Sequence, residues 1–415
     1  MARSVLFAPE SFNLAEVTRA VEVAGRMPDD VECVFAGYVR RFAHVVEDAG
    51  FTFRNLEPEL TDQQIDQLLA LDQGRGLRHP FTEAMLRERV ANERALIREI
   101  QPAAVVIGTT MSQFISARAE GIPLVYVKPF AYSLPHVRHL RATGLLPRDT
   151  RLQRIIDSAA ATAVRQIVPR IPLVPRSFPR VARAHGVTLP RTALRALDAD
   201  LNLLATAPHL VPEGVELPAN YRVVGPIFAS LPGEAPSLVS ELAAHPHPLV
   251  YFAVGSSGNR DLVRTVLAGL GRAPCHVLAP VGSYLTEDDV AELPGNVHVT
   301  DWLPADRLGE AVDLAITHGG EGTVQTSSVQ GWPFVGIPLQ MEQRFNVQTC
   351  VGFGSARLVS ARQARRTNWS ALVEDALADH DLRYRAARMA ELLKGIDGPG
   401  TAAASIAALI DGQAP

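Results

Sequence analysis

The chain has 415 residues, with 40 Lys+Arg against 44 Asp+Glu and 47% hydrophobic residues. That length accommodates two or three domains, and the apolar share excludes a chain disordered throughout. A net charge of -4 offers no basic excess for sequence-independent nucleic-acid binding. Cys33, Cys275 and Cys350 form no CxxC pair, which argues against a zinc ribbon or a dithiol redox site.

From the N-terminus, residues 4–8 (SVLFA) read as a buried strand. Residues 14–24 follow with helical spacing, Val17, Ala20, Val21 and Ala24 sharing a face. Strands are expected at 31–36 and 51–56, with a helix at 42–49 between them, then a long helix over 82–100 ending before Pro102. Residues 103–107 (AAVVI) make a further strand, 108–112 a turn, and 124–127 (LVYV) the next strand. Strand and helix alternating at this rhythm predict parallel βαβ units with helices on both sheet faces.

Residues 132–197 break that rhythm. They are rich in Arg and Pro and read as two or three helices without strands. A strand returns at 201–205, and the Pro- and Gly-rich stretch 208–248 is the best linker candidate. A second strand series opens at 249–254 and continues at 276–279, 297–299, 314–317 and 334–337, with a helical, Ala-rich end reaching about residue 410. The expected fold class is α/β: two doubly wound, Rossmann-like parallel-sheet domains facing across a cleft. The boundaries expected are 1–215, a linker over 216–247, 248–390, and a C-terminal helix over 391–415 that could pack back on the first domain. Sheets of this kind bind ligands outside the carboxyl ends of their strands. No run of about 20 uncharged apolar residues occurs, so no bilayer span is expected. The opening apolar run is too short for a signal-peptide core, and the expected location is the cytoplasm.

The segment 301–346 carries the chemistry. THGGEGT at 317–323 lies between an apolar strand and a helix. Gly319, Gly320 and Gly322 permit a tight turn and close backbone approach, and the N–H groups of the following helix make an anion site with its dipole behind them. Pyrophosphate is the natural guest, with His318 and Thr323 adding side-chain donors. The plainer alternative is a glycine turn with a structural histidine. In PLQMEQRFN at 338–346, Glu342 and Gln343 set a carboxylate beside a carboxamide, able to accept from and donate to sugar hydroxyls. Trp302 in DWLP can stack on a base, and the loop VGSSGN at 254–259 ends the second domain's first strand. No GxGxxG follows the first strand, and no Walker A or GxSxG is present, which disfavours dinucleotide oxidoreductases, P-loop NTPases and serine hydrolases.

These motifs resemble those of bacterial inverting glycosyltransferases of the GT-B fold, family 1, the group that includes macrolide and antibiotic glycosyltransferases and plant UDP-sugar enzymes. The pattern W-x-P … HGGxGT … G-x-P … P-x-x-x-[DE]-Q-x-x-N is matched across 302–346, with weaker similarity elsewhere, including VVGP at 223–226. The resemblance implies Trp302 against the base with the Leu303 backbone reading its edge. It implies His318, Gly320, Gly322 and Thr323 on the diphosphate, with Ser256 or Ser257 nearby. Glu342 and Gln343 would hold the sugar. The implied activity is transfer of a hexose or deoxyhexose from a UDP- or dTDP-sugar to a small-molecule acceptor, with no metal and no further cofactor.

The departure lies in the first domain. Family members carry a His in the first loop that deprotonates the acceptor, oriented by an acid from a later loop. Here LAEVTRAVEVA places Glu16 in that region, and IGTTMS offers Thr109 and Thr110 but no acid. A buried carboxylate can be a general base, so Glu16 is the catalytic candidate; it can equally cap its helix. Asn13, Thr109, Ser112 and His136 are candidate acceptor contacts. His136 and His139 lack a third ligand at metal spacing. Two other readings stay open: an auxiliary nucleotide-binding relative lacking the base, and a lipid-acceptor transferase at a membrane surface, suggested by the Arg-rich insert.

Overall fold

The computed structural model describes all residues except 1–2, 73–75, 77–78, 144–149, 173–174, 230–235, 256–257, 302 and 414–415. It divides into two compact units, Met1–Phe228 with Asp397–Pro415, and Ala229–Ile396.

Among the described residues, the first unit holds seven strands: β1 (Arg3–Ala8), β2 (Val31–Gly37), β3 (Thr52–Asn55), β4 (Ala104–Ile107), β5 (Leu124–Lys128), β6 (Leu201–Leu204) and β7 (Tyr221–Val223). All pair in parallel, in the order β3-β2-β1-β4-β5-β6-β7. The order reverses direction between β1 and β4, where a doubly wound sheet opens its ligand crevice. The β-branched runs are buried on both faces: Leu6, Val105 and Ile107 join one core, Val5, Phe7 and Val106 the other. β7 lies inside the stretch read from sequence as linker, and adds an edge strand too short for its periodicity to show.

Helix Leu14–Ala24 covers the second of these cores and is started by Asn13, whose Oδ1 accepts from the Ala15 N–H at 3.1 Å. The last helix, Gly398–Ile410, belongs to the same unit and sets Ala402, Ala403 and Ile406 into that core beside Val17 and Val23. Gly398 permits the approach, because a Cβ there would lie 2.1 Å from the Pro226 carbonyl oxygen.

The second unit repeats the plan with six strands among its described residues: β8 (Leu249–Ala253), β9 (His276–Pro280), β10 (Val297–Thr300), β11 (Leu314–Thr317), β12 (Phe334–Gly336) and β13 (Ala356–Leu358). Their order is β10-β9-β8-β11-β12-β13, all parallel, with the reversal between β8 and β11. No described helix is long and apolar enough to cross a membrane.

Candidate active site

In the second unit, β11 ends at Thr317 and helix Glu321–Gln330 begins four residues later, capped by Gly320. Gly319 has φ of 84°, and a Cβ there would lie 2.4 Å from Val347 Cγ2, so only glycine fits. The turn is pinned from inside. Thr317 Oγ1 donates to Thr323 Oγ1 at 2.7 Å, and Thr323 Oγ1 donates to the Gly320 carbonyl at 2.9 Å. At Gly322 a Cβ would meet nothing within 4 Å, so this first-turn position looks onto open space.

The His318 imidazole is buried between two glycines. A Cβ on Gly255 would stand 2.8 Å from its Cε1, and one on Gly320 would stand 2.3 Å from its Nε2. Burial lowers its pKa to about 4, so at neutral pH the ring is uncharged and offers a hydrogen bond rather than a charge. The loop after β8 is fastened by Tyr284, whose hydroxyl donates to the Gly255 carbonyl at 2.5 Å and accepts from the Gly258 N–H at 3.2 Å.

Past β12, helix Met341–Phe353 brings Glu342 beside this turn. Asn346 Nδ2 donates both to Glu342 Oε1 and, at 3.1 Å, to the Gly319 carbonyl, linking the acidic side chain to the glycine turn. Asn346 completes the sequence pattern, yet its linking role is visible only in three dimensions. Gln343 departs from the sugar-reading expectation. It is 2% exposed, its Oε1 accepts from the Leu339 and Gln340 N–H groups at 2.9 and 3.2 Å, and its Nε2 donates to Gln340 Oε1 at 3.1 Å. These bonds make it the reciprocal cap of its helix. Leu303 is buried beyond β10; Trp302, Ser256 and Ser257 lie outside the described residues.

In the first unit, the carboxyl ends of β1 and β4 gather Glu10, Glu16, Thr109 and Thr110. Glu16 is buried and fixed by three donors. Its Oε2 accepts from the Glu10 and Thr109 N–H groups at 2.9 and 3.1 Å, and its Oε1 accepts from Thr109 Oγ1 at 2.7 Å. Gly108 leaves room for it, since a Cβ there would fall 1.8 Å from Oε2. Thr109 is exposed, so it is the solvent-facing residue of this arrangement.

Glu10 carries no motif, and the sequence reading did not single it out. It is 6% exposed, and burial pushes its carboxyl up to about 7; the charge of Arg89 opposes this, Glu16 and Glu93 reinforce it, and a Thr110 hydrogen bond opposes it. The available signal was position: an acidic residue directly after β1, at the switch point of the sheet.

Behind this lies a buried polar cluster on helix Glu83–Ile100. Glu93 accepts from Tyr38 Oη at 2.7 Å and from the hydroxyls of Ser112 and Ser116. Arg89, fully buried, stacks its guanidinium 3.5 Å from the Tyr38 ring centroid and 4.4 Å from that of Phe81. Ser112 is therefore corrected: it is 0% exposed and directed at Glu93, out of reach of an acceptor. Asn13 is engaged as a helix cap. His136 is half-buried with its ring 5.3 Å from that of Phe130, and burial lowers its pKa to about 4. It sits on helix Leu134–His139, apart in sequence from the β1 and β4 loops.

The family described as erythromycin biosynthesis protein CIII-like, C-terminal domain, matches residues 264–408. A PGL/p-HBAD biosynthesis glycosyltransferase of Mycobacterium tuberculosis is 29% identical over 398 residues, covering 93% of this chain and 88% of that protein. An inactive PGL/p-HBAD biosynthesis glycosyltransferase of Mycobacterium bovis is 31% identical over 279 residues, covering 65% of this chain and 71% of that protein. Among solved structures, the glycosyltransferase VinC in complex with dTDP aligns with a TM-score of 0.70 at 18% identity, over 98% of this chain and 99% of that one.

Proposed function

The chain belongs to the GT-B glycosyltransferases of natural-product type, and from that premise we propose that it moves a hexose or deoxyhexose from a UDP- or dTDP-sugar to a hydroxyl of a natural-product or glycolipid acceptor. The reaction is an in-line displacement with inversion. The acceptor oxygen bonds to the anomeric carbon, the bond from that carbon to the diphosphate oxygen breaks, and the nucleoside diphosphate leaves with the electron pair.

The observation that carries the reading is the glycine turn at 317–323. It presents an open helix N-terminus at Gly322, a neutral His318 clamped between glycines, and Glu342 tethered to the turn through Asn346. The helix N-terminus and the imidazole N–H stabilise charge growing on the leaving diphosphate, as preorganised dipoles do, and this reading assigns no metal or further cofactor. Glu342 serves the sugar hydroxyls, while Gln343 sets the helix that carries it. The dTDP in the VinC complex favours a thymidine nucleotide, and the acceptor class is proposed from mycobacterial relatives named for PGL/p-HBAD biosynthesis.

For the proton, the reading assigns the carboxyl pair Glu16 and Glu10. An acceptor hydroxyl meets Thr109 first, whose own hydroxyl is bonded to Glu16, and Glu10 is poised near neutrality beside it.

A panel of nucleoside diphosphates and sugar nucleotides, read by thermal shift and then by release of UDP or dTDP with phenolic and aliphatic acceptors, tests the proposal. Turnover with any of them supports it. Nucleotide binding without turnover across the panel supports an auxiliary nucleotide-binding protein instead, and failure to bind any nucleotide refutes the site.

A further inference from the structure

The Arg-rich insert plays no part in the chemistry above, and its composition is unlike that of the rest of the chain. Between residues 138 and 195 the chain carries twelve arginines, no lysine, no glutamate and two aspartates, an excess of ten positive charges in a protein whose total is -4. One of the two acids, Asp157, is fully buried and accepts from Thr143 Oγ1. Among the described arginines of this stretch, only Arg180 forms an ion pair, with Glu83 at 3.4 Å.

Helix Arg151–Ile167 is built inside out. It turns Asp157 and Ala161 inward and leaves Leu152, Ile155, Ile156 and Ile167 exposed, at 65%, 57%, 47% and 61%. With Ala159 and Ala163, also exposed, these residues fall within an arc of about 120° on the helix wheel. Ile171, 41% exposed, extends the stripe past the helix end. Leu152, Ile155, Ile156, Ile167 and Ile171 are five of the eleven exposed large hydrophobic residues found among the described residues. At the same end, Arg138, Arg165, Arg170, Arg191 and Arg195 line a groove of about 540 Å³, held in place where the Ala193 N–H donates to the Ile171 carbonyl at 3.0 Å.

An outward apolar stripe beside concentrated cationic charge is the composition of a helix that lies in a membrane interface, its apolar face among acyl chains and its arginines on lipid phosphates. We propose that this face docks the protein onto an anionic lipid bilayer, the stripe of helix Arg151–Ile167 entering the headgroup boundary and the five-arginine groove taking up anionic headgroups. Charge decides between this occupant and a second copy of the chain. A two-fold contact would set each cationic surface against its own image, whereas anionic lipid satisfies the arginines and the isoleucines together. The proposal is independent of the sugar and acceptor, because no residue of the glycine turn or of the carboxyl pair takes part in it.

The test is co-sedimentation of the full chain with vesicles of phosphatidylcholine alone and of an equal mixture with phosphatidylglycerol, at low and high salt. The expected result is binding to the mixed vesicles only, weakening as salt rises. Ile155→Glu with Ile156→Glu should lower that binding by about tenfold or more. Arg170→Glu with Arg191→Glu should lower it most at low salt. Both double variants change exposed side chains, so unchanged melting temperatures serve as the folding control. Inorganic phosphate at matched ionic strength should not displace the protein. Absence of binding to mixed vesicles, equal binding to neutral ones, or full binding by the isoleucine variant would overturn the proposal. So would a dimer in light scattering that the isoleucine variant dissolves.

Discussion

Replacing Glu10 by Gln separates a proton-handling carboxyl from a packing one, because the two roles move stability and rate in opposite directions. Burial raises the folded-state pKa of Glu10 from an ordinary 4.5 to about 7. One pKa unit corresponds to about 1.4 kcal/mol, so ionising this carboxyl inside the fold costs about 3 kcal/mol more than in the unfolded chain. The stability it contributes is complete below about pH 4.5 and is lost as pH rises through about 7, since the folded state holds the proton more tightly. Glutamine does not titrate. Glu10→Gln should therefore match the parent near pH 4.5 and gain on it progressively, reaching about 3 kcal/mol and several degrees of melting temperature by pH 8. Turnover should move the other way, with a loss of about 10²–10⁴ if the carboxyl pair accepts the acceptor's proton. The parent's rate should fall as pH drops below about 7, and the residual rate of the variant should lack that limb. Urea unfolding from pH 4.5 to 8.5 and steady-state turnover over the same range are the assays. Parallel stability profiles for parent and variant would refute the raised carboxyl. A gain in stability with an unchanged rate would refute its part in the chemistry.

The other tests divide the second unit's site by atom. His318→Ala should weaken nucleoside diphosphate binding about five- to tenfold, the worth of a neutral hydrogen bond; because the imidazole is uncharged, titration calorimetry should show the same loss at pH 6 and pH 8. Glu342→Ala should spare nucleoside diphosphate binding and weaken sugar-nucleotide binding, whereas Gln343→Ala should lower the melting temperature through the lost cap, about 1 kcal/mol; equal loss for both ligands with Glu342→Ala would remove it from the sugar. Gly322→Ala meets no protein atom and should leave stability unchanged while impairing diphosphate binding, and Gly319→Ala, at φ of 84° against Val347, should lower stability first.

The sequence exposes what depends on local pattern and hides what depends on where a side chain turns. Apolar runs such as 104–107 announce buried parallel strands because both sheet faces are covered, and HGGEGT announces its turn because the backbone there admits little but glycine. Three-residue strands such as β7 and β13 are too short for any period, and only pairing with their neighbours defines them. The polar residues are less legible because one chemical type serves two ends. Gln343 is equally fit to read a hydroxyl or to cap a helix; Gln340 three residues before it is the local sign of the second use, and the amide is spent there. Ser112 in a loop looks available to a ligand until Glu93, nineteen residues earlier on a helix, takes its proton donor from the inside. Arg89 and Glu93 have the spacing of a solvated surface pair, yet both are fully buried under the loops that follow β1, β2 and β4, where no window of neighbouring residues could place them. Glu10 is the sharpest case. Its proton affinity is raised by the desolvation of a site assembled from three separate stretches of chain, and a titration set by such an enclosure leaves no mark on the residues either side of it.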